Sequence, residues 1–246
     1  MNNVSVIVPS INMGRFLGDA VASIARQDRP VAEIIVIDGN SNDGTPDVVR
    51  RLSRDGAPIR MLQSEPRGPG IARNEGIAAA RGNVIAFLDA DDLWPKGKLA
   101  RQLDYLEARP NKGMVSGFVS CFDKLDATTL APAEDARIET LFHVHLGACL
   151  YRRQVFDEIG PFNEGLLYAE DVDLLLRVRE AAIDFTILRA VMLYYRRHGN
   201  SMMTQKTSRK QGDFRRAVAM SLMRRRAAGK PPIDQNMFES FLEVPP

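Results

Sequence analysis

The sequence predicts an α/β protein built on a mostly parallel central sheet flanked by helices. Short apolar runs alternate with helix-period patterns through the first half of the chain, the signature of βαβ units. One run, Val84 to Leu88, is apolar throughout, as a strand covered on both faces is, and it leads straight into Asp89, Asp91 and Asp92. The 246 residues, 45% of them hydrophobic, suffice for one domain with a full core and room for an appendage.

Val4 to Val8 is the first strand and stops at Pro9. A helix follows from about Gly14 to Gln27, with Phe16, Ala20 and Ile24 on one face, and Ile34 to Ile37 is the next strand. Thr45 is expected to cap a helix with Pro46 at its first position. Ile59 to Leu62 forms a third strand, Gly70 to Ala80 a helix, and Val84 to Leu88 the acid-bearing strand. A helix then reaches about Arg109, and Met114 to Phe122 reads as a strand. The polar segment from Lys124 to Glu139 is expected to be a mobile loop. From His143 to Tyr195 come an apolar strand, a short helix near Arg153, a helix from Asp171 to Ala182 and a strand from Phe185. Between Thr207 and Lys230, Phe214, Val218 and Leu222 recur every four residues among arginines. That pattern suits, first, a helix packed on the domain with its charges in water and, second, a basic amphipathic helix resting on anionic lipid.

A formal net charge of only +2 gives no global case for nucleic acid as a partner, although cations crowd the stretch from Arg196 to Lys230. Cys121 and Cys149 lie in apolar surroundings, as reduced thiols do, which points to a reducing cytosol. No secretory leader is read at the N-terminus, and no stretch reaches the roughly 20 apolar residues of a membrane span. The expectation is a cytoplasmic protein that at most touches the inner membrane face.

The acid cluster carries the most chemistry. Asp89 and Asp91 sit at the carboxyl end of a buried strand, where open α/β sheets bind ligands, and clustered like charges call for a hard cation. An isolated Asp-x-Asp is otherwise a solvated turn. Pro9-Ser10 and Asp38-Gly39-Asn40 follow the first two strands; Asp38 could accept from a base N–H or belong to an ordinary Asx-rich connection. Arg73, on the helix opened by Gly68-Pro69-Gly70, could receive an anion or fix the aspartates. Glu170, Asp171 and Asp173 start another helix, as capping acids or, for Asp171 or Glu170, as a general base. His198 follows the last strand, and His143 and His145 receive no metal role.

Taken together, Val4 to Pro9, Val36 to Thr45, Ala72 to Gly76, Phe87 to Asp92, Glu170 to Arg177 and Tyr194 to His198 resemble, in order and spacing, the family 2 glycosyltransferases with the GT-A fold. The resemblance spans about residues 3 to 200. It implies a single Rossmann-like nucleotide-binding domain over 1–203, with a nucleotide-sugar half at 1–112 and an acceptor half at 113–203, and a C-terminal helical extension at 204–246. It further implies an inverting enzyme that moves one sugar from a nucleotide-diphosphate donor, with Mn²⁺ or Mg²⁺. Pro9, Ser10, Asp38, Arg73, Asp89 and Ala90 would hold the nucleotide, Asp91 and His198 the metal, and Asp171 with Glu170 the catalytic position; Trp94 would stack on a sugar face in the acceptor site, or else lie in the core as a buried aromatic. A UDP-sugar donor and a glycan or lipid-linked acceptor are expected, in polysaccharide or cell-envelope synthesis, with a second copy of the chain as a candidate partner.

Two features depart from the family pattern. Gly39 stands where many relatives carry a second Asp, which puts one nucleotide contact in doubt, and no Gln-x-x-Arg-Trp of processive synthases occurs, which favours single-sugar transfer. Other readings of the acids fare worse. A phosphotransferase Asp-x-Asp would be followed by Thr or Val where Leu93 stands, and a calcium loop would need Gly at Trp94. The non-enzyme reading is a sugar-nucleotide-binding or scaffold protein with a decayed site.

Overall fold

The structure is a computed structural model that describes residues 2–142, 144–199 and 208–231. Its core follows from alternation along the buried strands β1 (Val4–Ser10), β2 (Glu33–Asp38), β3 (Ile59–Gln63) and β4 (Val84–Phe87). Side chains point to opposite faces of a strand in turn. Val4, Val6, Val8, Ile34 and Val36 therefore meet α1 (Gly14–Ala25), α2 (Thr45–Arg54) and α4 (Lys98–Glu107) through Leu17, Ile24, Val49 and Leu103. Ile7, Ile35, Ile85 and Phe87 meet the opposite layer, α3 (Pro69–Ala79), α5 (Gln154–Ile159) and α6 (Glu170–Glu180), through Ile77, Phe156 and Leu174. Gly76 lets α3 lie close on the sheet: a Cβ there would stand 2.3 Å from Ile7 Cγ2.

The eight-stranded sheet runs β10-β5-β9-β4-β1-β2-β3, with β8 on β5. β5 is Met114–Phe122, β8 Ile138–Leu141, β9 Leu150–Arg152 and β10 Phe185–Arg196. β1 to β4 are mutually parallel, with Ser10 beside Asp38 in register. β9 is antiparallel to both β4 and β5, so β5 runs the same way as β4, and β10 pairs parallel to β5. The carboxyl ends of β1, β2, β4 and β10 thus share one edge. Leu93, just past the acids, exchanges two backbone hydrogen bonds with Tyr194 near the end of β10, at 3.0 and 2.9 Å. That clasp brings segments a hundred residues apart in sequence to one place.

Several expectations are corrected. Thr45 does not cap α2; the Asp43 carboxylate accepts from Thr45 N and Oγ1 and from Gly14 N, tying the starts of α2 and α1 together. Residues 124–139 are not an irregular loop. They form the hairpin β6 (Leu125–Asp126) with β7 (Ala131–Pro132) and the start of β8. The turn is fixed by Asp126, which accepts from Thr128 N and Thr129 Oγ1. Polar strands at a solvent-facing edge carry no apolar signal, which is why the sequence reads as loop.

Trp94 is buried, 2% exposed, and donates Nε1–H to Gly147 O at 3.1 Å, so it is a core aromatic and has no acceptor role. α7 (Ser208–Ala227) forms as expected, yet it packs on α6 through Asp213, Ala217 and Ser221. Phe214 and Leu222 are exposed. Polar anchors decide this rotation: Asp213 accepts from Leu167 N and Tyr168 N, and Arg224 pairs with Glu180 and Asp173. The expected boundary at 203–204, residues 232–246 and His143 lie outside the described residues. Among those described, no helix is long and apolar enough to cross a membrane.

Lys98, at the start of α4, is 1% exposed, lies 4.7 Å from the Trp94 ring centroid and bonds Gln102 Oε1. Burial pushes its ammonium down to about 7. Between this value and the unfolded value near 10 the unfolded chain binds more protons, so stability rises with pH across that window and is lost as pH falls towards 7. The protein is expected to be about 2 kcal/mol more stable at pH 9 than at pH 7 from this group. Lys98→Met should flatten that difference, as read from urea unfolding at the two pH values.

Candidate functional site

The shared edge of strand ends opens into a cleft of about 1170 Å³. Its floor comes from the loops after β1, β2 and β4, one wall from the starts of α3 and α6, and another from the first turns of α7. Pro9, Ser10, Ile37 and Gly39 line one end. Asp38, between the last two, is fully buried; its Oδ2 accepts from Ser41 N and Gln63 Nε2, at 3.2 and 3.0 Å. Asp38 Oδ1 and Ser10 Oγ are buried without a hydrogen-bond partner. Two orphaned oxygens on adjacent strands are costly unless a ligand or water meets them.

Asp89, Ala90 and Asp91 line the middle of the cleft. Arg73, 5% exposed, reaches the cluster from α3 and bridges two carboxylates: Nη2 to Asp89 Oδ1 at 2.8 Å and Nη1 to Glu170 Oε1 at 2.6 Å. Burial works against the ionised guanidinium, but Asp89 and Glu170 beside it raise its pKa. Burial likewise disfavours the Asp89 anion, yet Arg73 and His145 hold its pKa below the usual range. Asp91 is pushed up by burial and by the Asp89 charge, against the pull of His198, whose Nε2 lies 2.8 Å from Asp91 Oδ2. Asp92 points away from the cleft, 1% exposed, and accepts Arg196 N–H. Burial and its acidic neighbours hold it well above the usual carboxylate range.

Two groupings have the donors for a hard divalent ion. Asp91 and His198 form one. Asp89, Asp92 and His145 form the other, with ligand atoms within 4.8 Å of one another. Nothing in the local sequence associates His145 with these acids, because the contact depends on how the turn before β9 folds back against β4. Its Nδ1 accepts Gly147 N–H at 3.2 Å, which fixes that turn.

At the far end, α6 begins after Ala169, held at φ 59°. Glu170 is 7% exposed and turned to Arg73, whereas Asp171 has a short local bond, Oδ1 accepting Val172 N–H at 2.8 Å. Both line the cleft. Of the residues singled out in the sequence, Pro9, Ser10, Arg73, Asp89, Ala90, Asp91, Glu170 and Asp171 line this one cleft, Asp38 and His198 adjoin it, and Trp94 does not reach it. Phe214 and Arg215, read in the sequence only as parts of a helix, line it as well.

Comparison with known proteins adds relatives to this geometry. The profile of glycosyl transferase family 2 matches residues 5–160. The chain is 38% identical over 107 residues to the Bacillus subtilis putative teichuronic acid biosynthesis glycosyltransferase TuaG, covering 43% of this chain and 42% of TuaG. It is 37% identical over 123 residues to the Campylobacter jejuni GalNAc(5)-diNAcBac-PP-undecaprenol beta-1,3-glucosyltransferase, covering 49% of this chain and 38% of that protein. The matches thus span less than half the length of either relative. The crystal structure of S. aureus TarS 1–349 in complex with UDP-GlcNAc superimposes with a TM-score of 0.68 at 22% identity, over 90% of this chain and 66% of TarS, a likeness of fold. The fold is GT-A.

The Arg73 bridge makes its own prediction. Removing the charged partner of a buried ion pair costs about 3–5 kcal/mol. Arg73→Ala is expected to destabilise the protein by that order, read from denaturant unfolding, whereas Glu75→Ala on the exposed side of α3 should cost less than about 1 kcal/mol.

Proposed function

The chain belongs to glycosyl transferase family 2, and from that premise we propose that it moves one sugar from a nucleotide-diphosphate donor, a UDP-sugar, to an acceptor hydroxyl with inversion at the anomeric carbon. The observation that carries this reading is one cleft lined by Pro9 and Ser10 at one end, Asp89 and Asp91 in the middle and Asp171 at the other. The orphaned Asp38 Oδ1 supports a base subsite, since a buried carboxylate oxygen beside Ser10 suits the ring N–H of uracil. We assign the nucleotide to residues 1–112, the acceptor to 113–203, and treat 204–246 as the extension.

In this mechanism Asp171 takes the proton from the acceptor hydroxyl. The freed oxygen attacks the anomeric carbon from the face opposite the diphosphate, and the carbon–oxygen bond to the leaving group breaks with its electron pair on the diphosphate. Arg73 holds Asp89 and Glu170 in place around this path, so the carboxylates need not reorganise as charge moves. For a cation, Asp91 with His198 is the better pair, because Asp91 lines the cleft while Asp92 is sealed beneath it. A bound Mn²⁺ or Mg²⁺ would offset the charge that builds on the departing diphosphate.

The buried free thiols of Cys121 and Cys149 support a reducing, cytoplasmic setting. The names of the two relatives, a putative teichuronic acid biosynthesis glycosyltransferase and a GalNAc(5)-diNAcBac-PP-undecaprenol glucosyltransferase, support a cell-envelope glycan or lipid-linked acceptor.

Calorimetry with UDP, GDP and dTDP, each with Mn²⁺ and with EDTA, tests the donor site. UDP is expected to bind in a metal-dependent way that Asp91→Ala abolishes; binding of none of the three would favour a decayed site. Asp171→Asn should keep donor affinity while losing about 10²–10⁴ in turnover, and an unchanged transfer rate would remove Asp171 from the base role.

A further inference from the structure

The cleft is larger than the roughly 300–1000 Å³ of a typical small-molecule site, so it has room for a second substrate beyond the donor. The wall with no assigned task is α7. Phe214 lines the cleft while 52% exposed, and Lys210 and Arg215 line it from the same two turns. From Ser208 to Pro231 the chain carries eight Lys or Arg and one acid. That acid, Asp213, is turned inward to Leu167 N and Tyr168 N. The cleft therefore changes sign along its length, from the carboxylates of Asp91 and Asp171 to the cations of α7.

The apolar stripe starts at the same mouth. Positions four apart lie one above the other on a helix. Phe214 is followed along the outer surface by half-buried Val218 and by Leu222, 46% exposed, with Met223 beside it at 70%. With Ala217 and Ser221 buried, this stripe runs along the flank of α7, from the cleft at Phe214 to the exposed surface at Leu222. A stripe that leads out of a cationic cleft mouth matches an amphiphile, with an anionic group at the mouth and a hydrocarbon chain along the helix.

We propose that α7 is the acceptor-side subsite and that its ligand is a phosphate or diphosphate joined to a hydrocarbon chain, with the anion at Lys210 and Arg215 and the chain on Phe214, Val218 and Leu222. This deepens the transferase reading, on which it rests: the acceptor sugar, attached to that phosphate, would reach Asp171 from the α7 side. Such a ligand can come as a single amphiphile or as a bilayer surface, and the test separates the two.

Farnesyl diphosphate below its micelle concentration, inorganic diphosphate, and vesicles of phosphatidylglycerol are titrated into the full chain with UDP and Mn²⁺ in excess to occupy the donor site. Farnesyl diphosphate is expected to bind at least about tenfold more tightly than inorganic diphosphate. Arg215→Glu and Leu222→Glu, both on exposed positions, should each weaken it by about tenfold or more without changing the melting temperature or UDP affinity. No binding of farnesyl diphosphate, equal binding of inorganic diphosphate, unchanged affinity in both variants, or binding to vesicles alone would each overturn the proposal. UDP is titrated separately into the wild-type chain and each variant, without the amphiphile, so loss of the donor reading and loss of the α7 subsite give different results.

Discussion

The Arg73 guanidinium, buried between the carboxylates of Asp89 and Glu170, is the contact on which the geometry of the cleft depends. It ties the end of β4 to the start of α6, two elements eighty residues apart in the chain that otherwise meet only through their apolar faces. Without a positive charge there, Asp89, Glu170 and Asp171 would crowd negative charge into a space poor in water. With it, Asp89 stays ionised and Glu170 is anchored, while Asp91 and Asp171 line the cleft without a bond to Arg73. An arginine suits this better than a lysine, because its planar fork meets two acceptors at once in fixed directions.

A second constraint is strand direction. β9 runs against its neighbours, and that one reversal lets β5 and β10 return parallel to the first four strands. The end of β10 therefore arrives beside the end of β4, where Leu93 and Tyr194 clasp and His198 meets Asp91. Asp92 takes part below the cleft by accepting the Arg196 N–H. The three acids thus differ in partner: buried Asp92 holds the backbone of β10, Asp89 holds Arg73, and Asp91 meets His198, with Asp89 and Asp91 both lining the cleft.

Much of this was legible in the residues. Mainly apolar runs identify β1, β2 and β4 because strands covered on both faces carry few polar side chains, those present being paired as Ser5 is with Glu33, and their carboxyl ends mark the crevice. β5 spans Met114–Phe122, as the apolar run indicates. Other features were hidden for definite reasons. Asp43 competes with Thr45 for the start of α2 through bonds that involve Gly14, thirty residues away. The edge strand β8 is polar on its outer side, so no periodicity reveals it. In α7 the four-residue apolar repeat suggests a buried stripe, but Asp213 and Arg224 find partners on the body and turn Phe214 and Leu222 outward.

The sequence by itself determined the fold class, the order of elements, the family resemblance, and the residues at the ends of the strands, because these depend on local patterns of apolar and polar side chains. Tertiary structure alone decided which partner each acid meets, where His145 and Trp94 lie, and which face of α7 is exposed. Those outcomes depend on contacts between residues tens to a hundred positions apart, and nothing in a local pattern encodes which distant partner a charge will find.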